Sequence, residues 1–258
     1  MSVESAPSVA TAAFSDVFQV AGHELNPDEP EMIERVRLVL AARPGMLRKL
    51  LPIRVDAHGV TSGGVYLFDT YENAVAYGEW VLANFRLDGM LFYDLPVFME
   101  PSYQAWQLVG AEDFASVRTH HDVVRFERWH TLAPHDVAAL RDRHWQRLRE
   151  RALDAGLASV WLLYSPDPCH PQLGLVTVAG HGDHVPTGRA DADLGVLEDL
   201  PSFGAGIAQA LGATKVFDRT SWVYQVWFPL PAENADYDGA SFWPNSPPLP
   251  GVAARATT

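Results

Sequence analysis

Two stretches, "GHELNP" (22–27) and "WHTLAP" (129–134), carry one pattern, His-x-Leu-x-Pro, 107 positions apart. Each follows a strand-like run, "DVFQVAGH" (16–23) in the first case and "VVRFERWH" (123–130) in the second. Each also precedes a helical pattern. Met32, Ile33, Val36, Val39 and Leu40 form one apolar stripe. Val137, Leu140, His144, Leu148 and Ala152 form the other, at the i, i+3/i+4 spacing of an amphipathic helix. Gly45 and Gly156 stand where helices prefer to end in a left-handed residue.

The likeness continues outward in the same order. "LLPIRVD" (50–56) meets "WLLYSPD" (161–167), and "GGVYLF" (63–68) meets "QLGLVTVA" (172–179), both at offset 111, which aligns Gly63 with Gly174. These pairs read as neighbouring strands joined by a hairpin. A second helix follows in each half, "YENAVAYGEWVLANF" (71–85) and "SFGAGIAQALG" (202–212), and then "VFMEPSYQAWQL" (97–108) meets "VFDRTSWVYQVW" (216–227) at offset 119.

An internal repeat constrains the fold more than any single element does. Each half reads βαββαβ, the ferredoxin-like unit. The expected fold class is therefore α+β: a tandem duplication of that unit, with two antiparallel sheets packed as a pseudo-twofold α+β barrel. Helices on one face of each sheet leave the other face bare, and two bare faces can cover each other. The expected organisation is a mobile N-terminus (1–13), a first unit (14–110), a linker (111–122), a second unit (123–231) and a proline-rich strap and tail (232–258).

The chain has 258 residues, 48 % of them hydrophobic, enough for a substantial core. A net charge of −13 opposes a nucleic-acid groove, which needs a cationic surface. One cysteine, Cys169, leaves no intrachain disulfide and no thiolate metal cage. The first residues lack the basic and apolar segments of a secretory signal, and no apolar run is long enough to span a bilayer. The expectation is a soluble, cytoplasmic protein without membrane or nucleic-acid partners.

Three histidines are candidate general bases. His23 and His130 close the first strand of each half, where an imidazole near the mouth between sheet and helices could titrate at working pH. The competing reading is turn chemistry, with Pro27 and Pro134 fixing φ. His144 sits mid-stripe, either as a core histidine or as a base facing an apolar cavity. His181 in "GHGDH" (180–184) lies on a candidate substrate lid; the spacing matches no closed zinc set, so no metal is expected. Tyr66, Tyr77, Trp80, Tyr103, Trp129 and Trp222 are candidate walls for a flat, apolar, polycyclic ligand. No phosphate-binding glycine loop and no nucleophile elbow occur.

The doubled pattern with "GGVYLFDTYENAVAY" (63–77) resembles the dimeric α+β barrel superfamily of small monooxygenases. With its two fused units and acidic composition, the chain is similar to the angucycline ring-opening oxygenases of actinomycetes, over about residues 14–230. That resemblance implies oxidative carbon–carbon cleavage of a polyketide quinone or hydroquinone in antibiotic biosynthesis. The co-substrates would be molecular oxygen and reduced flavin (FADH2 or FMNH2) from a separate flavin reductase, or the substrate itself would reduce oxygen. A homodimer is a further expectation. The same doubled fold resembles haem proteins of the chlorite-dismutase type, and a non-catalytic binding protein or cyclase is the remaining alternative.

Overall fold

In a computed structural model of the chain, the described residues are 10–20, 36–37, 39–41, 43–56, 59–87, 90–94, 98–117, 119, 122–167, 169–180 and 200–228. Eight long strands follow in order: β1 (Ala12–Val20), β2 (Met46–Asp56), β3 (Gly59–Phe68), β4 (Phe98–Asp113), β5 (Asp122–His130), β6 (Leu157–Ser165), β7 (Gln172–Gly180) and β8 (Thr214–Trp227). Helix α1 (Tyr71–Ala83) follows β3, and α3 (Ala205–Ala210) precedes β8. Helix α2, after β5, has three parts: Val137–Leu140, the π-helical Arg141–Trp145 and Gln146–Asp154. A small hairpin (Arg86–Leu87 with Met90–Leu91) and a 3-10 turn (Phe92–Asp94) link α1 to β4.

The strands close into one antiparallel barrel in the order β1-β3-β2-β8-β5-β7-β6-β4. This corrects the expected fold class. The chain does not form a tandem ferredoxin-like α+β fold of two sheets packed face to face; it forms a closed eight-stranded barrel with few helices. The reason lies at the sheet edges. β2 pairs with β8, placing Ile53 opposite Trp222, and β4 pairs with β6, placing Gln107 opposite Tyr164. Edge strands that hydrogen-bond across the halves satisfy their backbone groups and leave no open edge.

Strand periodicity divides the core into layers. On β3, Val65 and Leu67 enter the cluster that also holds Trp106, Phe126, Trp161 and Val176, which fills the lumen. Tyr66 and Phe68 point the other way, into a cluster with Tyr77, Trp80 and Val81 of α1. A third cluster joins Leu140, Leu148 and Ala152 of α2 to Trp129, Trp222 and Ile207 on the outside of the second half. Each helical layer thus packs against the outer face of the barrel.

Several expected elements stand where the periodicity put them. β2 with β3 and β6 with β7 are antiparallel neighbours. Gly45 (φ 73°) and Gly156 (φ 70°) adopt the left-handed region. Helix α1 starts on Thr70, whose hydroxyl accepts from the amide of Asn73 at 3.1 Å, as an N-cap does. Of the helix expected over 30–43, only Val36–Arg37 and Val39–Leu40 are described, as helix. The terminal segments 1–9 and 229–258 lie outside the described residues.

The His-x-Leu-x-Pro echo does not mark equivalent positions. Val17 faces Gly63 and Arg128 faces Gly174, the two glycines that the repeat aligns. The same register places Gln19 opposite Thr61 and His130 opposite Gln172. The counterpart of His130 is therefore Gln19, so the motif match at 107 is displaced by four positions from the true offset of 111.

Candidate active site

β1 reads "AAFSDVFQV", and its outer-facing positions are Ala12, Phe14, Asp16 and Phe18. An aspartate on an otherwise apolar face is unexpected, and Asp16 is only 3 % exposed. Its Oδ2 accepts from the hydroxyl of Tyr66 at 3.4 Å and, in a short hydrogen bond, from that of Tyr93. Its Oδ1 has no partner. Burial raises the Asp16 carboxyl above the ordinary range, against the charge of Lys49 and the hydrogen bonds from Tyr93 and Tyr66.

Lys49 of β2 is the cation that faces this acid. It is paired across the ladders with Tyr66 on one side and Trp227 on the other. Its ammonium sits 4.5 Å from the Tyr66 ring centre and 4.2 Å from that of Trp227. Burial lowers its pKa to about 8, while Asp16 holds it up. Gly64, opposite Asp16 on β3, makes the room: a Cβ there would lie 2.5 Å from the Tyr66 ring and 2.7 Å from Lys49 Cε.

Helix α1 closes the layer from outside. Tyr77 and Trp80 are one turn apart on its buried face, and the Tyr77 ring lies 5.0 Å from both Phe14 and Tyr66. The Tyr77 hydroxyl feels the charge of Asp16 and interacts with the hydroxyl of Tyr66. Burial, followed by the charge of Asp16, keeps Tyr66, Tyr77 and Tyr93 protonated far above the usual phenol range.

Beside them opens a cleft with about 470 Å³ of empty space, part of it open to solvent, lined by Arg43, Pro44, Asn73, Ala76, Tyr77 and Trp80. The Arg43 guanidinium lies over Trp80, 3.4 Å from its ring centre. Burial lowers the Arg43 pKa to about 9. Tyr77 of the cleft lining packs against Tyr66 and so connects the cleft to Asp16 and Lys49, which lie behind it in the layer between barrel and helix.

The expected walls Tyr66, Tyr77 and Trp80 therefore meet in one site. Tyr103 stands at its rim, 47 % exposed, with its ring 6.0 Å from that of Tyr93. Trp129 and Trp222 belong to the separate outer core of the second half. His23 and His181 lie outside the described residues. His130 is half-buried at the end of β5, its ring 6.3 Å from that of His170.

His144 does not sit on the buried face of its helix. It is half-buried in the π-helical segment, and burial, then the charges of Arg143 and His135, lower its pKa. The wide turn has a packing cause. Neighbouring Trp145 lies flat over β4, where a Cβ on Gly110 would come within 2.3 Å of its ring. Arg141 fixes the segment to the carbonyls of Val109 (2.7 Å) and Leu108 (3.2 Å).

Asp16, Lys49 and Arg43 escaped the sequence reading. The signal for Asp16 was its place between Phe14 and Phe18 on one strand face. Arg43 read as a helix end. Nothing local marks Tyr93 as a partner of Asp16, 77 positions away.

The second half carries a counterpart of the acid and treats it differently. Asp16 faces Gly64 and Tyr103; Glu127 faces Leu175 and Asp218, the equivalent register. Glu127 is fully buried, and its Oε1 accepts from Ser202 at 2.6 Å and Lys215 at 3.0 Å. Arg125 stands 3.5 Å away and binds Asp218 through two hydrogen bonds. That acid faces two cations, and only its Oε2 is left without a partner. Among the described residues no three His, Cys, Asp or Glu side chains group as metal ligands, and no helix is long and apolar enough to cross a membrane.

No protein-family model matches the chain, and no curated protein matches it in sequence. Some solved structures are similar to it at low identity. A "putative monooxygenase" of Fusobacterium nucleatum subsp. nucleatum has 10 % identity and a TM-score of 0.47, covering 85 % of this chain and 95 % of that one. A "putative monooxygenase" of Lactobacillus acidophilus has 11 % identity and a TM-score of 0.47, covering 85 % and 97 %. An anthrone oxidase-like protein has 10 % identity and a TM-score of 0.48, covering 86 % and 96 %.

Proposed function

We propose that the chain is an oxygenase for polycyclic aromatic phenols, hydroquinones or anthrones, with the chamber between β1–β3 and α1 as its active site. The observation that supports this is Asp16: a buried carboxyl with a raised pKa, one free oxygen and two tyrosine hydroxyls on the other. Such an acid beside an aromatic cleft can hold a substrate proton. An electron-rich aromatic anion, once formed in a dry pocket, reacts with oxygen without a metal.

The substrate lies against Trp80 and Tyr77. Its proton passes by way of Tyr77 and Tyr66 to Asp16, and Lys49 stabilises the carboxylate beforehand. The carbanion adds oxygen to give a peroxide anion, which takes one proton back. Loss of the second carbon-bound proton then breaks the O–O bond, forming a carbonyl and water. For an anthrone the balance is anthrone plus O2 to anthraquinone plus H2O. Where a ketone adjoins the peroxide, the terminal peroxide oxygen adds to that carbonyl, and the O–O bond and the intervening carbon–carbon bond then break together to leave a carbonyl and a carboxylate, the ring-opening outcome. The cleft suits one ring system of this kind. Reduced flavin enters the reading only as a diffusible co-substrate from a separate reductase.

The test is oxygen uptake with 1,8-dihydroxy-9-anthrone, in air alone and with NADH, FMN and a flavin reductase. Uptake in air alone identifies the substrate as the reductant; uptake only with the reductase identifies the flavin route. Asp16→Asn lowers kcat by a factor on the order of 10² to 10⁴, the usual contribution of a placed base. No enzyme-dependent uptake in either arm, for the anthrone and for a naphthohydroquinone, sinks the proposal.

A further inference from the structure

Arg43 is a cation with only 4 % of its surface exposed. Its Nε donates to the carbonyl of Val39 at 3.4 Å, and neither Nη finds an acceptor. The group that acts on it electrostatically is the phenol of Tyr77, not a carboxylate. Trp80 Nε1 is also buried without a partner. Both side chains line the same cleft, with Tyr77 beside them.

Orphaned buried donors are rare in native proteins, and an unpaired buried charge is rarer. Two residues of that kind in one cleft call for a common explanation. A guanidinium and an indole N–H donate and cannot accept. What completes such a set is an oxyanion, and the guanidinium fork matches two oxygens of one group. Some cations of the protein have acids, since Arg48 holds Asp113 at 2.6 and 2.9 Å and Arg125 holds Asp218, while others, such as Arg141 on the carbonyls of Val109 and Leu108, use neutral acceptors. Arg43 faces aromatic wall instead. The missing anion therefore belongs to a ligand with an aromatic body.

We infer that the cleft is an oxyanion seat, in which Nη1 and Nη2 of Arg43 bind an ionised oxygen group carried on an aromatic ring that stacks against Trp80 and Tyr77. Aryl carboxylates and phenolates share this chemistry. The inference rests on the proposed oxygenase only in taking this ligand as its substrate; binding itself needs no turnover.

The experiment is calorimetric titration of the full chain at pH 7 with 2-naphthoate, ionised 4-nitro-1-naphthol and the neutral 2-naphthalenemethanol. At least one anion binds tenfold or more tightly than the neutral alcohol. Preference for naphthoate names a carboxylate, and preference for the nitronaphtholate names a phenolate. Arg43→Gln abolishes the discrimination, while Arg43→Lys, which keeps charge without the fork, retains part of it. Thermal melts of each variant show whether it folds, and the Lys variant decides the matter if the Gln variant does not. Equal binding of all three probes, or unchanged discrimination in a folded variant lacking Arg43, overturns the seat. Anion binding without oxygen uptake would overturn the oxygenase and leave the seat standing; uptake without anion preference would do the reverse.

Discussion

Asp16 and Glu127 occupy the same register position in the two halves of the barrel, yet one is left to tyrosines and the other to cations. Glu127 accepts from Ser202 and Lys215 with Arg125 close by, so its charge is matched. Each carboxyl keeps one oxygen without a partner, but Asp16 faces a single lysine through an aromatic layer. Glu127→Gln should lower stability by roughly 1.5–3 kcal/mol, the range for hydrogen bonds to a charged group, with the Lys215 share reduced because that side chain is 39 % exposed. Turnover of the folded variant should change little. Chemical denaturation and oxygen uptake on both variants check the contrast.

The pH profile has a direction on each side. Asp16 must be ionised to take a proton, and its pKa is raised, so activity climbs as pH rises through a value above the usual carboxylate range. Lys49 is lowered to about 8, so the charge that favours the carboxylate is lost above that pH and activity falls again. Lys49→Met should move the acid limb to higher pH. A kcat profile between pH 5 and 10 tests this, and a flat profile for wild type contradicts the proposed proton path.

Stability follows the same pair. Asp16 has a raised folded-state pKa, so its contribution is full below the unfolded value and is lost as pH rises through the folded one. Lys49 has a depressed pKa, so its contribution is present at high pH and is lost as pH falls through about 8. Removing one partner leaves the other buried and alone. Asp16→Asn and Lys49→Met should each destabilise at pH 7, and the double variant should recover most of the loss. A double-mutant cycle by thermal melting measures the recovery.

Gly64→Ala should cost about 1–3 kcal/mol, since the new methyl group meets the Tyr66 ring and Lys49 Cε inside contact distance. The variant should also shift the acid limb of the pH profile, because both displaced side chains set the Asp16 environment. Gly110→Ala meets the Trp145 ring in the same way, so it should destabilise without moving that limb.

His144→Ala should leave turnover within about twofold and stability within about 0.5 kcal/mol, as for surface changes away from special features. The side chain is half-buried on the outside of the second half. A tenfold loss of kcat would return it to the list of candidate bases.

Much of the local structure was legible. The alternation in "GGVYLF" and the stripe in "YENAVAYGEWVL" gave β3 and α1, and with them Tyr66, Tyr77 and Trp80. Closure of the barrel was not legible, because it depends on pairing Ile53 with Trp222 and Gln107 with Tyr164, and backbone pairing leaves no mark on side-chain periodicity. The repeat itself misled at one point. The histidine motifs are close in pattern but four positions out of register, and identity of letters outweighed the glycine alignment that carries the true offset. Asp16, Lys49 and Tyr93 come from three separate segments, so only the fold brings them together.

Because the last strand of each half hydrogen-bonds to a strand of the other, neither half has a complete boundary of its own. Cut at the connection between β4 and β5, each fragment would present two raw strand edges and half a lumen to water. The two halves therefore stand or fall together: they can surround their buried acids differently, one with tyrosines and the other with cations, but neither closes without the other.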